Sequence, residues 1–96
     1  MAILAGGRSG QTTVTTAGTE VALGTGTING IVAIKALPTN TGYMYVGNNG
    51  SGAVASTTGY PLSAGEYIFL SIGDLDTVMV DSSVNGEKVA WIAIGE

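Results

Sequence analysis

Three aspartates close together are the residues in this sequence whose spacing most invites a chemical role. Asp74, Asp76 and Asp81 could supply carboxylate oxygens to a calcium ion, which prefers such hard ligands. They lack the alternating acidic loop ending in glutamate that an EF-hand needs, and no helical pattern flanks them. Aspartate is also a common turn residue, because its side chain bonds to nearby backbone N–H groups. We interpret these aspartates as turn formers and predict no metal site.

The side chains on which most catalytic sites depend are missing. The chain has no histidine and no cysteine, which excludes histidine-based triads and zinc sites built on either residue. A serine–lysine pair would need Lys35 or Lys88, and no spacing favours it, so surface charge is the simpler interpretation. Residues 47–52 are rich in glycine but lack the lysine and the following helix of a phosphate-binding loop. We expect a protein that is not an enzyme and that uses no cofactor.

Aromatic side chains favour binding over catalysis. Such rings could stack on sugars while neighbouring amides donate hydrogen bonds, which would make a recognition module for carbohydrate or a host surface. Tyrosine and tryptophan are also enriched in cores and subunit interfaces, and this is the simpler role. The residues concerned are Tyr43, Tyr45, Tyr60 and Trp91, with Asn48 and Asn49 beside them.

The composition indicates an unusually apolar protein of low charge. Only 10% of the 96 residues are charged, the net charge is −4, and no basic cluster is present, so we expect no binding to nucleic acid. The longest apolar run, residues 89–94, is far shorter than the roughly 18 residues of a membrane helix. Residues 1–6 lack the basic start of a signal peptide. We expect a soluble protein without a membrane partner.

Glycine content and hydrophobic period predict an all-β fold. Sixteen glycines and the absence of a sustained helical period disfavour helices. Short β-prone runs separated by turn signals predict a small β-sandwich or β-barrel of about six to eight strands. We divide the chain into an extended N-terminal arm, residues 1–10, and a single β domain, residues 11–96. The predicted strands are 11–16, 21–23, 31–37, 43–47, 67–72, 77–80 and 88–94, with a further short extended segment near 53–55.

Three asparagine–glycine signals set the predicted turns. Asn29-Gly30 is expected to close a loop through a turn with positive φ, and Asn85-Gly86 is expected to close a hairpin. Asn40 and Gly42 are expected to form a tight turn, because glycine accepts positive φ without penalty and asparagine tolerates it.

Several predicted strands are apolar on both faces. Ile31 and Ala33 would lie opposite Val32 and Ile34, and residues 67–72 and 88–94 repeat this pattern. A half-buried strand should instead alternate apolar and polar residues. A domain this small has one interior, so the second face needs another cover. We predict homo-oligomerisation, with cover by the chain's own loops as the alternative.

Several segments resemble those of small virion β-proteins of tailed bacteriophages, especially capsid decoration (cement) proteins. The segments are residues 31–37, 40–47, 59–66, 75–80 and 88–93. The resemblance implies a trimer, made in the host cytoplasm, that binds the outside of an expanded icosahedral shell at three-fold positions. There it would bridge major capsid subunits and stabilise the mature shell, with the N-terminal arm making part of the contact. Another head or tail accessory role stays open.

The two-faced strands and the resemblance to decoration proteins together predict one set of contact residues. They are apolar and aromatic side chains of the two-faced strands, together with the arm. The residues expected to contact another copy or the capsid are Ile3, Leu4, Arg8, Ile31, Tyr43, Tyr45, Tyr67, Phe69 and Trp91.

Overall fold

The computed structural model describes residues 8–48 and 58–94, and within these ranges the chain is all-β. Its only helical element there is a single 3₁₀ turn, Leu75–Thr77, so no described helix is long enough to span a membrane. The strands are β1 (Arg8–Val14), β2 (Val21–Ala22), β3 (Thr27–Ala36), β4 (Met44–Asn48), β5 (Tyr60–Leu62), β6 (Tyr67–Asp74), β7 (Val78–Ser82) and β8 (Glu87–Ile94). The all-β prediction is confirmed.

The strands form two antiparallel four-stranded sheets. Sheet A has the order β1-β8-β3-β6, and sheet B has the order β2-β7-β4-β5. Every pairing joins antiparallel neighbours, and the β-branched residues that fill β3, β7 and β8 suit such a pleated surface.

One hydrophobic core takes side chains from both sheets. Val32 and Ile34 of sheet A are fully buried in it, as are Met44 and Val80 of sheet B. Burial of each such side chain contributes about 1.5–3 kcal/mol, so this core is the main source of stability. We call the face of each sheet that joins this core its inner face and the opposite one its outer face.

The first strand begins earlier than the sequence indicates. β1 starts at Arg8, and Arg8 to Gly10 pair with β8, so these three residues belong to sheet A instead of an arm. The rest of the predicted arm, residues 1–7, and the predicted extended segment near residue 55 lie outside the described residues. β5 was missed because Pro61 reads as a turn residue. The proline is tolerated because β5 is an edge strand that pairs only with β4.

Two of the three asparagine–glycine signals were interpreted wrongly. Asn29 does have positive φ, at 51°, but it lies inside β3, where the register with β6 shifts between Thr27 and Gly30. This is a β-bulge instead of a turn. Asn85-Gly86 is no hairpin, because it joins β7 of sheet B to β8 of sheet A. Gly86 has a φ of 81°, which allows the chain to change sheets there.

The glycine at position 42 is required for space, not for positive φ. Gly42 is not among the residues with positive φ. Its N–H donates to Oε1 of Glu87 at 2.7 Å, and a Cβ there would lie 2.8 Å from Cγ2 of Val84. The turn forms one step earlier, where the N–H of Asn40 bonds to the carbonyl of Leu37.

Candidate functional site

The outer face of sheet A is the largest exposed apolar surface on the described residues. Its side chains alternate along each strand with those of the core, so that Ile92 is 56% exposed while Trp91 and Ala93 beside it are buried. The large apolar members are Ile31, Tyr67, Phe69, Ile92 and Ile94, and the remaining outward residues are Ser9, Gln11, Thr13, Ala33, Lys35, Ser71, Lys88 and Ala90.

The strand register makes this surface continuous. Ile31 lies opposite Ile94 on one side and Ser71 on the other, and Ala33 lies between Ile92 and Phe69. Directly opposite side chains in an antiparallel sheet have Cβ atoms about 4.5–5.5 Å apart, so Ile92, Ala33 and Phe69 form an apolar row, while the neighbouring row of Ile94 and Ile31 ends at Ser71. The rings of Tyr67 and Phe69 meet edge to face, with centroids 5.6 Å apart.

The charges on this face have one sign. Lys35 and Lys88 are both exposed there, and none of the outward residues described on the four strands is acidic. The chain as a whole carries seven acidic residues and three basic ones, so this separation runs against the overall charge. A partner that fits this face is apolar, with negative charge near the two lysines.

The size of the face fits a protein contact. Four strands about 4.8 Å apart and about eight residues long, at about 3.3 Å per residue, give a projected area of roughly 500 Å². Protruding side chains add to this, and a standard interface buries about 800 Å² on each partner. Monomeric proteins rarely expose contiguous apolar patches of more than a few hundred Å². The large apolar side chains occupy β3, β6 and β8, while β1 contributes Ser9, Gln11 and Thr13, so the apolar part of the face is smaller than this area and fits a modest interface.

Part of the outer face of sheet B, around Asp81 and Tyr45, is covered by the chain itself. Asp81 faces outward from β7 yet is only 2% exposed, because the N–H groups of Gly18 and Ser82 both donate to its Oδ1, at 2.9 and 2.8 Å. Tyr45, its neighbour in β4, is 9% exposed and stacks with Tyr43 at a centroid distance of 6.4 Å.

A second apolar feature lies where the edge of sheet A approaches the edge of sheet B. A cavity of about 450 Å³ opens there between β6 and the strands β4, β5 and β7. Ile68, Leu70 and Ile72 line it from the inner face of β6, and each is half-buried. None of the described residues that line it is charged. Below we call this cavity the edge groove.

The predicted contact residues fall into separate groups. Ile31, Tyr67 and Phe69 lie together on the outer face of sheet A. Tyr43 is exposed on the outer side of sheet B. Arg8 is exposed at the end of β1, where its Nη2 donates to the carbonyl of Thr25 at 3.0 Å.

Two of the predicted contacts are buried in this chain, and two cannot be located. Trp91 is a core residue of sheet A, and Tyr45 is covered as described above, so neither belongs to the exposed surface. The sugar-stacking alternative loses these two rings and keeps Tyr43 and Tyr60, which are 51% and 59% exposed. The predicted contacts Ile3 and Leu4 lie outside the described residues.

Sequence reasoning missed Ile92 and Ile94, the β8 members of the outer face. The alternation in residues 88–94 separates them from Trp91, so the period of two was the signal that could have found them. Trp91 was chosen for its size, whereas the neighbouring isoleucines are the exposed residues.

The interpretation of the aspartates as turn formers is wrong for two of them, because Asp74 ends β6 and Asp81 lies within β7. The acidic residues of this region have structural partners. Oδ1 of Asp74 accepts a hydrogen bond from Oγ1 of Thr27 at 2.7 Å, and Glu87 accepts from the N–H groups of Thr41 and Gly42. Within residues 8–48 and 58–94, no three acidic side chains come close enough to hold a metal ion.

Comparison with protein-family models, curated proteins and solved structures finds no match for this chain. The exposed surfaces of the two sheets are therefore the observations from which a function can be argued.

Proposed function

We propose that this chain is a structural virion protein of a tailed bacteriophage, which binds the outside of an icosahedral capsid as a homo-oligomer and stabilises the mature shell. The outer face of sheet A is the observation that supports the proposal. It exposes five large apolar side chains and two lysines, has no acidic residue at its described outward positions, and is separate from the hydrophobic core. We take the two sheets as the halves of a β-sandwich and residues 1–7 as an arm that contacts a neighbour.

The energetics fit a role that relies on several copies. Burial of each large side chain of this face would contribute about 1.5–3 kcal/mol, whereas association costs about 4–15 kcal/mol. One face therefore gives a contact of modest affinity. Copies held together in an oligomer bind a repeating lattice much more tightly, because the later contacts form at high effective concentration.

The same arrangement explains how shell stabilisation would arise without catalysis. A protein that binds the mature lattice and not its precursor stabilises the mature lattice by mass action. The resemblance to decoration proteins implies three copies at three-fold positions, a major capsid protein as partner, and assembly onto the shell after synthesis in the host cytoplasm. The docking site on the shell should combine apolar and acidic side chains, to complement Lys35 and Lys88.

Co-sedimentation with empty capsids of the phage tests this proposal. We expect binding to expanded capsids and none to unexpanded precursors. Ile92→Ser should abolish binding because it places a hydroxyl in the centre of the outer face of sheet A. Tyr43→Ser is the matched control, since Tyr43 is comparably exposed but lies on the other sheet, and it should bind like the wild type. Equal binding of both variants, or of both capsid forms, would overturn the proposal.

A further inference from the structure

We propose that copies of this chain associate through β6, whose open edge pairs antiparallel with β6 of a second copy and joins two A sheets into one. This inference assigns the surface of self-association to a two-fold dimer contact, whereas the resemblance to decoration proteins implies three copies. It does not depend on capsid binding.

The edge of β6 is open to hydrogen bonding. Among the described residues β6 pairs with β3 alone, at the end of sheet A. The N–H of Ala36 donates to the carbonyl of Glu66, the residue directly opposite in the register, at 2.9 Å. Hydrogen-bonded pairs alternate along an antiparallel ladder, so Ile68, Leu70 and Ile72 bond to β3. The N–H and C=O groups of Tyr67, Phe69 and Ser71 therefore point away from β3, toward the open edge of sheet A.

This edge lacks the devices that normally prevent pairing between strands. Residues 67–73 contain no charge, no proline and no bulge on the open side. The other edges of the two sheets are different. β1 is polar, and Oγ1 of its Thr12 donates to the carbonyl of Leu23. β2 has only two residues, while β5 is short and contains Pro61.

The edge groove favours a second strand that is apolar on its inner side. Ile68, Leu70 and Ile72 are only half-buried there, beside Val46 and Val78 of sheet B. An added strand with apolar residues at every second position would complete their burial. A second copy of β6 supplies that pattern through Ile68, Leu70 and Ile72, and none of these three side chains carries a charge.

Symmetry makes the second copy a self-consistent occupant. Antiparallel pairing of β6 with itself is isologous, so outward residues meet outward residues and inner residues meet inner ones. A register with Phe69 opposite Phe69 of the second copy pairs the two aromatic rings and places Tyr67 opposite Ser71. This register also keeps the carboxylates of Glu66 and Asp74 from facing each other.

Disulfide trapping tests the pairing directly, because the chain has no cysteine of its own. Phe69→Cys would place two thiols opposite each other at a Cα separation of about 5.5 Å, which lies within the disulfide range. Mild oxidation should convert this variant to a covalent dimer. Ile92→Cys is the matched control, since it is similarly exposed on the same face but two strands from the edge, and it should remain monomeric on a non-reducing gel. Failure of Phe69→Cys to cross-link, or cross-linking of Ile92→Cys, would overturn the proposal.

A backbone variant separates pairing of the edge from packing of the face. Ser71→Pro removes an N–H that points toward the open edge and is not bonded to β3, so the monomer should still fold. Sedimentation velocity should show the dimer dissociation constant rising about tenfold or more, while Ser71→Ala behaves like the wild type. An oligomer that Ser71→Pro leaves unchanged, including the three-copy form that the resemblance implies, would contradict edge pairing.

Discussion

Sheet B buries a carboxylate on its outer face, whereas sheet A exposes five large apolar side chains on its own. Asp81 is held by backbone N–H groups, one of them from Gly18 in the segment after β1, so the chain supplies the cover of sheet B around Asp81. The described residues place no comparable segment over Phe69 or Ile92. The difference teaches that polar groups on an outer face can be satisfied within one chain, whereas the apolar outer face of sheet A has no such cover among the described residues.

Removal of the Asp81 carboxylate should have the largest effect on folding. Asp81→Ala leaves the N–H groups of Gly18 and Ser82 without their acceptor, and Ser82 is buried. We expect the free energy of unfolding to fall by about 2–4 kcal/mol, measured by urea denaturation. Asp81→Asn keeps the Oδ1 acceptor and should recover most of the loss. An unchanged urea midpoint for Asp81→Ala would show that the cover of sheet B does not depend on this residue.

A methyl group at position 42 should have an intermediate effect. Gly42→Ala would bring a Cβ within 2.8 Å of Val84 and disturb the N–H bond to Glu87. We expect a loss of about 1–3 kcal/mol in thermal or urea unfolding. Thr41→Ala is the control, because it keeps its backbone bond to Glu87 and its side chain is exposed. Equal stability of the two variants would mean that the turn has room to move.

Substitution on the outer face of sheet A should have the smallest effect on folding. Ile92→Ser should change the free energy of unfolding of the monomer by at most about 1 kcal/mol, because the side chain is exposed. Ala93→Ser, one residue along on the inner face, should cost more, since it buries a hydroxyl group. Unfolding of dilute protein checks this pair. Equal losses would indicate that the chain covers its own outer face.

Short-range sequence patterns predicted the positions of the strands well, but they did not predict which face of each strand is buried. The alternation in residues 88–94 identifies two faces of β8, but it does not say that Trp91 faces the core and Ile92 faces outward, because both are apolar. Only the pairing with β3 and β1 decides that. Tyr45 and Tyr67 are likewise similar in sequence context, and one is covered while the other is exposed.

Turn chemistry was ambiguous for the same reason. Two asparagine–glycine dipeptides gave a bulge inside β3 and a crossing between sheets, and neither gave a hairpin. A local preference for positive φ is real at Asn29 and Gly86, but the partner strands decide what the chain does with it. Pro61 concealed β5, because an edge strand tolerates proline in a way that sequence alone does not reveal.

Hydroxyl-radical footprinting, with the protein free and bound to expanded capsids, tests most directly whether the outer face of sheet A is an interface. Tyr67, Phe69 and Ile92 are more than half exposed in the chain alone, as is Tyr43 on the other sheet. We predict that Tyr67, Phe69 and Ile92 lose their labelling on binding while Tyr43 keeps it. Unchanged labelling of the outer face of sheet A, or protection of Tyr43 instead, would contradict the account.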